Sequence, residues 1–476
     1  MESASPWRFS LQVGAALACG VLLRFVVGLE PAGWLAWLAP VPLLLLAFRS
    51  SGREAGGLVF VAALVGISVN FPYRLSVFSL PIAVIATVRQ AVVWTLIVTQ
   101  SRRLVLRYQT AWTALAYPVF WVAVDTLAAA LQGSGNETSL AYTQSACLPV
   151  LQFVSLFGVG GLLFLVALVP STLALAISFG GRLGRAGLAY GGTALLLVAA
   201  LAYGIARLQT PASGRMTTLG LVAIDDAIGP KASASYMKSI WDAYDRAIAA
   251  LGAQGAQIIV LPEKIGFVAP ATAARWQRHL QELAAQHHVW ILAGVGIAAD
   301  PGPVNRAWLF APEGNLAATY DKQRLAPGER GYRAGDSFLV QAIRGRTFGV
   351  AICKDMFSAA LARAYGKRAV AVMLVPAWNP GPADARMEGW NTLTRGVENG
   401  YAVVRVAREG FLTVSDAYGR IVAEIQSGPL PGSALLVRVP ESGQVPTLYT
   451  AIGDLFGWIC VAASPVLLLT GRRRPA

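Results

Sequence analysis

Long apolar runs constrain this chain more than any other feature of its sequence. A helix needs about 20 mostly apolar residues to cross about 30 Å of hydrocarbon. The predicted spans are roughly 9–29, 33–48, 56–72, 79–99, 111–131, 150–178, 187–207 and 450–470. We therefore predict a seven-helix transmembrane domain over residues 1–210 and a C-terminal transmembrane helix over residues 450–470.

The distribution of charge separates a second domain from these runs. Residues 212–448 contain 24 of the 39 Lys and Arg and 19 of the 25 Asp and Glu, and the rest of the chain contains no Lys. The whole chain is only 13% charged, against about 25% in soluble domains. Residues 217–440 are thus predicted to form a water-exposed domain carried by a membrane domain.

Arginines in the short loops predict the orientation. If the N-terminus is cytoplasmic, eleven Arg fall in cytoplasmic loops and only Arg74 falls in the short loops of the other side. An odd number of spans then places residues 217–440 on the periplasmic side of a bacterial inner membrane, and one miscounted span would reverse this. We expect no signal cleavage before Cys19, because the apolar run continues beyond it.

Alternating apolar strands and amphipathic helices predict an α/β fold for residues 217–440. The predicted helices are 236–251 and 271–287. The predicted strands are 219–224, 258–261, 289–294, 307–310, 316–320, 347–353, 369–375 and 401–408.

Three reactive residue types stand at the ends of these strands: Glu263, Lys322 and Cys353. Loops at strand ends are where α/β sheets place their chemistry. A thiol becomes a nucleophile once it is deprotonated, so Glu263 would accept the proton of Cys353. Lys322 would stabilise the oxyanion that forms when the thiolate attacks a carbonyl. Singly, each has an ordinary structural explanation: a core thiol, a solvated cap and a surface ammonium.

Composition excludes several other chemistries. Four Cys are too few for a disulfide scaffold, and no pair of them has metal-site spacing. The three His lie together at 279–288, so a His-based metal site or Ser-His-Asp centre is not expected. Residues 158–161 are glycine-rich but lie in an apolar run, so they do not predict a phosphate loop. We expect no cofactor, no metal and no nucleic-acid partner.

Three motifs resemble the catalytic motifs of the nitrilase superfamily of carbon–nitrogen hydrolases. They are Leu261-Pro262-Glu263, Tyr320-Asp321-Lys322 followed by residues 325–329, and Val350-Ala351-Ile352-Cys353. Residues 395–399 are similar to a structural motif late in that fold. The resemblance implies a four-layer α-β-β-α sandwich and a Glu263-Lys322-Cys353 triad.

The membrane part narrows the resemblance to the apolipoprotein N-acyltransferase family. That family places a nitrilase-like domain between several spans and a final span. Residues 139–144, 148–152 and 157–161 are similar to its stretch entering the sixth span. The resemblance implies transfer of an acyl chain from a phospholipid, through a Cys353 thioester, to the N-terminal amine of a diacylglyceryl-cysteine lipoprotein.

Three further residues have expected supporting roles. Glu329 would orient Lys322 or Glu263, or else be a solvated loop carboxylate. Trp378 would line the acyl pocket, or else be ordinary core. Lys354 would favour the thiolate or bind lipid phosphate, or else simply be exposed.

Departures from the family pattern keep two alternatives open. Residues 375–378 are closer to soluble amidases, and the segment between Lys322 and Cys353 is short. Both favour a membrane-anchored amidase or carbon–nitrogen hydrolase, or an acyltransferase acting on another amine. The other alternative is a non-enzymatic scaffold.

Overall fold

The computed structural model describes residues 6–132, 137–179, 183–211, 216–226, 233–381, 383–440 and 443–472. These residues form two compact units. The helical unit comprises Met1–Gln132, Thr138–Arg207 and Ile452–Ala476. The α/β unit comprises Leu208–Ala451 and the short segment Gly133–Glu137.

The helical unit is built from apolar helices that follow the runs of the sequence. They are α1 Pro6–Val27, α2 Pro40–Arg49, α3 Gly52–Ile67, α4 Phe71–Val77, α5 Leu80–Tyr108, α6 Ala116–Gln132, α7 Leu148–Leu151, α8 Val154–Ser178 and α9 Leu183–Leu208.

Six helical stretches among the described residues are long and apolar enough to cross a membrane. They are Phe9–Val27, Gly52–Val77, Leu80–Tyr108, Ala111–Gln132, Val154–Ser178 and Gly187–Leu208. The predicted spans 33–48 and 450–470 correspond to the shorter stretches Gly33–Arg49 and Leu455–Gly471. Helix α2 begins at residue 40, after a 3₁₀ turn over Gly33–Trp37. Proline lies in its first turn, a position that proline favours because no backbone N–H is needed there. The count of seven spans and the sidedness stay predictions.

Helices α1 and α3 pack closely because glycines lie where they meet. A Cβ atom at Gly20 would lie 2.7 Å from the carbonyl oxygen of Ala62, and one at Gly66 would lie 2.8 Å from the Cβ of Leu23. Small residues allow such close backbone approach between apolar helices. Nearby, Arg24 donates a 2.9 Å hydrogen bond to the hydroxyl of Ser68.

Ionisable residues inside the apolar runs differ in their exposure. Asp125 is buried, as is usual for an ionisable residue within apolar helices. Arg24 is half-buried against α3 through its contacts with Val65 and Ser68. Arg89 is exposed on α5. A long Arg side chain can cover apolar surface while its charged end reaches a polar layer.

The α/β unit contains two sheets. The strands are β1 Met216–Ala223, β2 Ile258–Val260, β3 Phe267–Val268, β4 Trp290–Ile297, β5 Val304–Phe310, β6 Leu316–Asp321, β7 Leu339–Ile343, β8 Arg346–Val350, β9 Val372–Trp378, β10 Ala402–Arg408, β11 Phe411–Ser415, β12 Ile421–Gln426 and β13 Ser433–Pro440. The first sheet has the order β13-β1-β2-β4-β5-β6, with β3 paired to β4. The second has the order β12-β11-β10-β9-β8-β7.

Helices cover the outer face of each sheet. The helices of this part are α10 Ala234–Ala253, α11 Pro270–His287, α12 Ala359–Gly366, α13 Ala385–Asn399 and α14 Leu448–Ile452, and α15 Leu455–Arg472 then belongs to the helical unit. One apolar core lies between the sheets, with Leu221 and Leu374 fully buried from opposite sides. A second core joins the first sheet to α10 and α11, and a third contains residues of α12 and β9. These layers confirm the four-layer α-β-β-α sandwich.

The last strands were not predicted from the sequence. Strand β12 is mostly exposed or half-buried, so it lacks the continuous apolar run that marks the central strands. The central strand β9 has six buried residues in succession, which made it visible.

Candidate active site

The three predicted reactive residues lie beyond the ends of strands from both sheets. Glu263 follows β2, Lys322 directly follows β6, and Cys353 follows β8. The backbone N–H of Glu263 donates to the carbonyl of Ala377 in β9, 3.3 Å away. That bond joins the two sheets at the point where their functional side chains emerge.

Lys322 and two carboxylates form a buried charged cluster. The Nζ atom of Lys322 lies 2.8 Å from Oε1 of Glu263 and 3.0 Å from Oε2 of Glu329. All three side chains are at least 96% buried. Asn305 on β5 donates from Nδ2 to both carboxylates, at 2.5 Å and 2.6 Å. The predicted orienting role of Glu329 is therefore geometrically available.

Opposed effects set the charge states of this cluster. Burial disfavours the ammonium of Lys322, but the charges of Glu263, Cys353 and Glu329 outweigh burial and hold its pKa well above the ordinary value. Burial also disfavours the carboxylate of Glu329, but Lys322 and Lys264 outweigh it and lower the pKa to about 2. At neutral pH, Lys322 is thus a cation and Glu329 an anion.

Cys353 occupies a strained position at the start of a 3₁₀ turn. Its φ of +45° lies in the left-handed region, which a residue with a Cβ atom rarely adopts. The Sγ atom lies 3.6 Å from the carbonyl oxygen of Trp378 and 3.9 Å from Oε2 of Glu388. Burial, Glu388 and Glu263 raise the pKa of the thiol well above its ordinary value, while Lys322 and Arg405 act in the opposite direction.

Asp355 joins the segment carrying Lys322 to the turn carrying Cys353. Its Oδ1 atom accepts from the backbone N–H groups of Gln323 and Arg324, at 3.0 Å and 2.6 Å. Its Oδ2 atom accepts from the N–H of Ile352 at 2.9 Å and from the hydroxyl of Tyr320 at 2.8 Å. Burial raises the pKa of Asp355 to about 6.

Lys354, next to the nucleophile candidate, is paired rather than simply exposed. Its Nζ atom lies 2.6 Å from Oε2 of Glu137, which belongs to the α/β unit. The Lys354 side chain is 15% exposed and that of Glu137 is 35% exposed. Although burial opposes it, Glu137 raises the pKa of Lys354.

The indole of Trp378 lies among cations. The Arg408 guanidinium lies 4.1 Å from its ring centroid and Nζ of Lys264 lies 5.7 Å away. Its Nε1 atom donates to Glu409 at 3.2 Å. Trp378 thus contacts the thiol through its carbonyl oxygen, and a role for its ring in an acyl pocket stays a prediction.

Sequence reasoning missed the polar residues that surround the cluster, namely Asn305, Asp355, Asn379, Glu388 and Arg405. Asn305 and Arg405 had a usable signal, because each is a polar residue within a strand made mostly of apolar residues. Glu388 and Asn379 gave no such signal, since they follow the apolar strand β9 in a polar stretch.

The described residues contain no cluster of His, Cys, Asp and Glu suited to a metal ion. His279 instead pairs with Asp245 of the neighbouring helix at 2.9 Å. The ammonium, carboxylates and thiol around Lys322 are groups that support acid–base and nucleophilic chemistry.

Family models match both parts of the chain. Residues 228–463 match the carbon-nitrogen hydrolase model, and residues 20–172 match the model of the apolipoprotein N-acyltransferase N-terminal domain. A curated apolipoprotein N-acyltransferase of Geobacter metallireducens is 26% identical over 506 aligned positions, which cover 96% of this chain and 95% of that protein.

Solved structures are similar to about half of the chain. An amidase from Nesterenkonia sp. is 21% identical, covers 49% of this chain and 93% of its own, and has a TM-score of 0.41. A cysteine mutant of the Nesterenkonia AN1 amidase, from the nitrilase superfamily, is 20% identical over 48% of this chain and 92% of its own, also with a TM-score of 0.41.

Proposed function

Because this chain belongs to the apolipoprotein N-acyltransferase family of the carbon–nitrogen hydrolases, we propose that it N-acylates lipoproteins. The acyl donor is a phospholipid, and the acceptor is the α-amine of a diacylglyceryl-cysteine at a lipoprotein N-terminus. The observation that carries this proposal is the buried cluster of Lys322, Glu263 and Glu329, whose charges act on the pKa of the Cys353 thiol.

The first half-reaction loads the acyl chain onto Cys353. As the sulfur attacks the ester carbonyl, Glu263 accepts the thiol proton and a C–S bond forms. Its Oε1 atom is held by Lys322 and Asn305, whereas its buried Oε2 atom has no hydrogen-bond partner among the described residues, so Oε2 is the free base. The tetrahedral intermediate then breaks its C–O bond, and the departing lysophospholipid alkoxide takes the proton from Glu263.

Lys322 stabilises the oxyanion and does not take part in the proton transfer. Its facing charges keep the ammonium protonated, so it is a poor base and a constant source of positive charge. A buried, preoriented cation stabilises the tetrahedral oxyanion more than the neutral carbonyl that precedes it, and this difference lowers the barrier. The ion pairs with Glu263 and Glu329 fix its direction before substrate arrives.

The second half-reaction unloads the thioester onto the amine. The α-amine attacks the thioester carbonyl, and Glu263 accepts the amine proton as the C–N bond forms. The C–S bond then breaks, and the thiolate recovers a proton from Glu263 as the amide is released. One difficult transfer becomes two easier ones through the covalent intermediate.

Lys354 is proposed to contact the donor phosphate. It follows the nucleophile in sequence, and its partner Glu137 is partly exposed to solvent. An entering phosphate could therefore exchange with the Glu137 carboxylate as the counter-ion of the ammonium.

The setting proposed for this chemistry is a bacterial inner membrane, with the α/β unit on the periplasmic side. The chain is a multi-pass membrane protein with six long apolar helices among its described residues. Two lipid substrates would reach such an enzyme by lateral diffusion. The excess of Arg in loops assigned to the cytoplasm supports this orientation.

The decisive experiment removes the sulfur. In Cys353→Ala, mass spectrometry of a lipoprotein N-terminal peptide should show no third acyl chain, and Cys353→Ser should show nearly none. Cys147→Ala is the matched control, because Cys147 is an exposed thiol outside the candidate site. A third acyl chain produced by Cys353→Ala would refute the assignment.

The alternative of a membrane-anchored amidase or carbon–nitrogen hydrolase is favoured by one observation. Only the short hairpin of β7 and β8, with the loop before it, separates Lys322 from Cys353 in the chain. Water would then resolve the thioester in place of the lipoprotein amine. Comparing release of free acid or ammonia with formation of amide product distinguishes the two functions.

A further inference from the structure

A further carboxylate, Glu388, contacts the sulfur of Cys353 and has no part in the steps above. It lies in the first turn of α13, and its side chain is 7% exposed. Its Oε2 atom is 3.9 Å from Sγ, a contact between two residues that are 35 positions apart in sequence. A buried carboxylate beside a nucleophile requires an explanation, because burying an anion is costly.

Two side chains fix the position of this carboxylate. Asn379 donates from Nδ2 to Oε2 of Glu388 at 2.8 Å, and Arg405 donates from Nη2 to the same oxygen at 2.9 Å. Arg405 also donates to Oδ1 of Asn379 at 3.2 Å. The three side chains therefore form a closed triangle that directs one carboxylate oxygen at the sulfur.

The partners of the sulfur identify its protonation state. Among the described residues, Sγ has its hydrogen bonds with the Trp378 carbonyl oxygen and the Glu388 carboxylate. The carbonyl oxygen can only accept, so the sulfur donates to it and carries its proton. A thiolate in this position would face two electronegative oxygens.

From this geometry we infer that Glu388 sets the resting protonation state of Cys353. Once ionised, its carboxylate attracts the thiol proton and adds to the effect of burial, so the nucleophile stays neutral while the site is empty of acyl substrate. When a substrate enters, the S–H bond turns toward the free Oε2 atom of Glu263, which takes the proton as the C–S bond forms. The inference rests on Cys353 being the nucleophile of the proposed function, and not on which amine accepts the acyl chain.

The charged groups around the pair act in both directions. Burial raises the pKa of the thiol, and Glu388 and then Glu263 add to this effect, while Lys322 and Arg405 oppose it. Glu388 is the largest of these charge effects on the thiol.

Glu388 itself titrates near neutral pH. Burial raises its pKa to about 8; Arg405 and Lys354 oppose this effect, and Asp384 and Glu137 reinforce it. The restraint on the thiol therefore strengthens as the pH rises and Glu388 becomes fully ionised.

A neutral resting thiol has a chemical advantage for such an enzyme. Oxidation to sulfenic acid and disulfide exchange both begin from the thiolate. Holding the proton on sulfur between turnovers limits these side reactions, and the strained turn at Cys353 keeps the sulfur positioned for attack.

The test measures the ionisation of Cys353 directly in the full-length protein in detergent micelles. Iodoacetamide alkylation of the Cys353 peptide is followed by mass spectrometry between pH 7 and 11, with the exposed Cys147 of the same molecule as reference. In Glu388→Gln the alkylation midpoint should fall by about one pH unit, which is about tenfold more thiolate at any pH well below the midpoint. Glu424→Gln is the matched control, because it removes a 2.6 Å ion pair with Arg386 in the same unit.

An unchanged or raised midpoint in Glu388→Gln, in a protein that melts like the parent, would overturn the inference. If that variant does not fold, Glu388→Asp replaces it, since the shorter side chain keeps a charge near Arg405 while moving away from Sγ. A lowered midpoint in this variant supports the inference, and an unchanged one overturns it. Because alkylation needs no lipoprotein, failure of the proposed function would appear separately, as absent N-acylation with a normal midpoint shift.

Discussion

The two units of this molecule handle buried charge in different ways. In the helical unit, Arg24 donates to the neutral oxygens of Ser68 and Val65, and Arg74 donates to Thr87 and Gln90. In the α/β unit, buried charges such as Lys322 face opposite charges at hydrogen-bond distance. In the helical unit, neutral oxygens accept hydrogen bonds from the Arg cations. In the α/β unit, the opposite charges keep Lys322 and its carboxylate partners ionised, as the proposed reaction requires. Buried charge therefore indicates chemistry here only where its partners are themselves ionised.

The largest expected effect comes from removing the central cation of the α/β unit. Lys322→Met should lower turnover about 10²–10³-fold or more, because the oxyanion loses its stabilising charge. Arg24→Met is the matched variant from the helical unit, and it should alter melting temperature while preserving turnover per folded molecule. Single-turnover acylation of purified protein measures both. A large loss of turnover in folded Arg24→Met would contradict the proposal that only the buried charge of the α/β unit takes part in the reaction.

A second prediction compares two glycines within one helix. Gly20→Ala should lower the melting temperature and the yield of folded protein, since its new Cβ would lie 2.7 Å from the Ala62 carbonyl oxygen. Gly14→Ala should be neutral or slightly stabilising, because nothing lies within 4 Å of the corresponding position. Thermal melts in detergent measure the effect, and equal effects of the two variants would contradict the close packing of α1 on α3.

A third prediction uses the pH dependence of stability. The lowered pKa of Glu329, about 2 against 4.5 for the free group, means that its ionisation stabilises the folded state. This stabilisation is present above about pH 4.5 and is lost as the pH falls toward 2. The melting temperature of the parent should therefore exceed that of Glu329→Gln by several degrees at pH 6, and the difference should shrink on acidification. A difference that stays constant with pH would refute the coupling.

The smallest expected effect concerns Lys354. Lys354→Met should raise the KM for an anionic phospholipid donor a few-fold with little change in kcat, because the ammonium is proposed to contact phosphate and not the reacting carbonyl. Lys238→Met is the control, since its pair with Asp242 is exposed on the same unit. Equal KM values for Lys354→Met and the parent would exclude the phosphate contact.

The predicted triad was visible in the sequence because each member ends a recognisable strand. Glu263, Lys322 and Cys353 each carry a local motif, so position along the chain was enough to select them. Their surroundings were not visible in this way. Glu388 reaches Cys353 across 35 residues, and Asn305 reaches Glu263 across 42. Such contacts depend on how two sheets and a helix pack together, and no single segment carries that information.

Apolar runs in the sequence predicted the long helices and the inner strands, but they did not predict the helix break or two of the later strands. Apolar length located the long helices, since a bilayer demands a minimum run of apolar residues. It failed to resolve the break before α2, where a 3₁₀ turn precedes a proline-containing first turn. Apolar runs located the inner strands, whereas β11 and the edge strand β12 have mixed burial and no clear run.

The carboxylate of Asp355 has a consequence for how this reaction centre can change during evolution. Four donors from two separate segments converge on it, so an insertion near Lys322 would tilt the turn that carries Cys353. A change in the backbone of either segment would therefore alter the position of the other, so the two segments must change together during evolution.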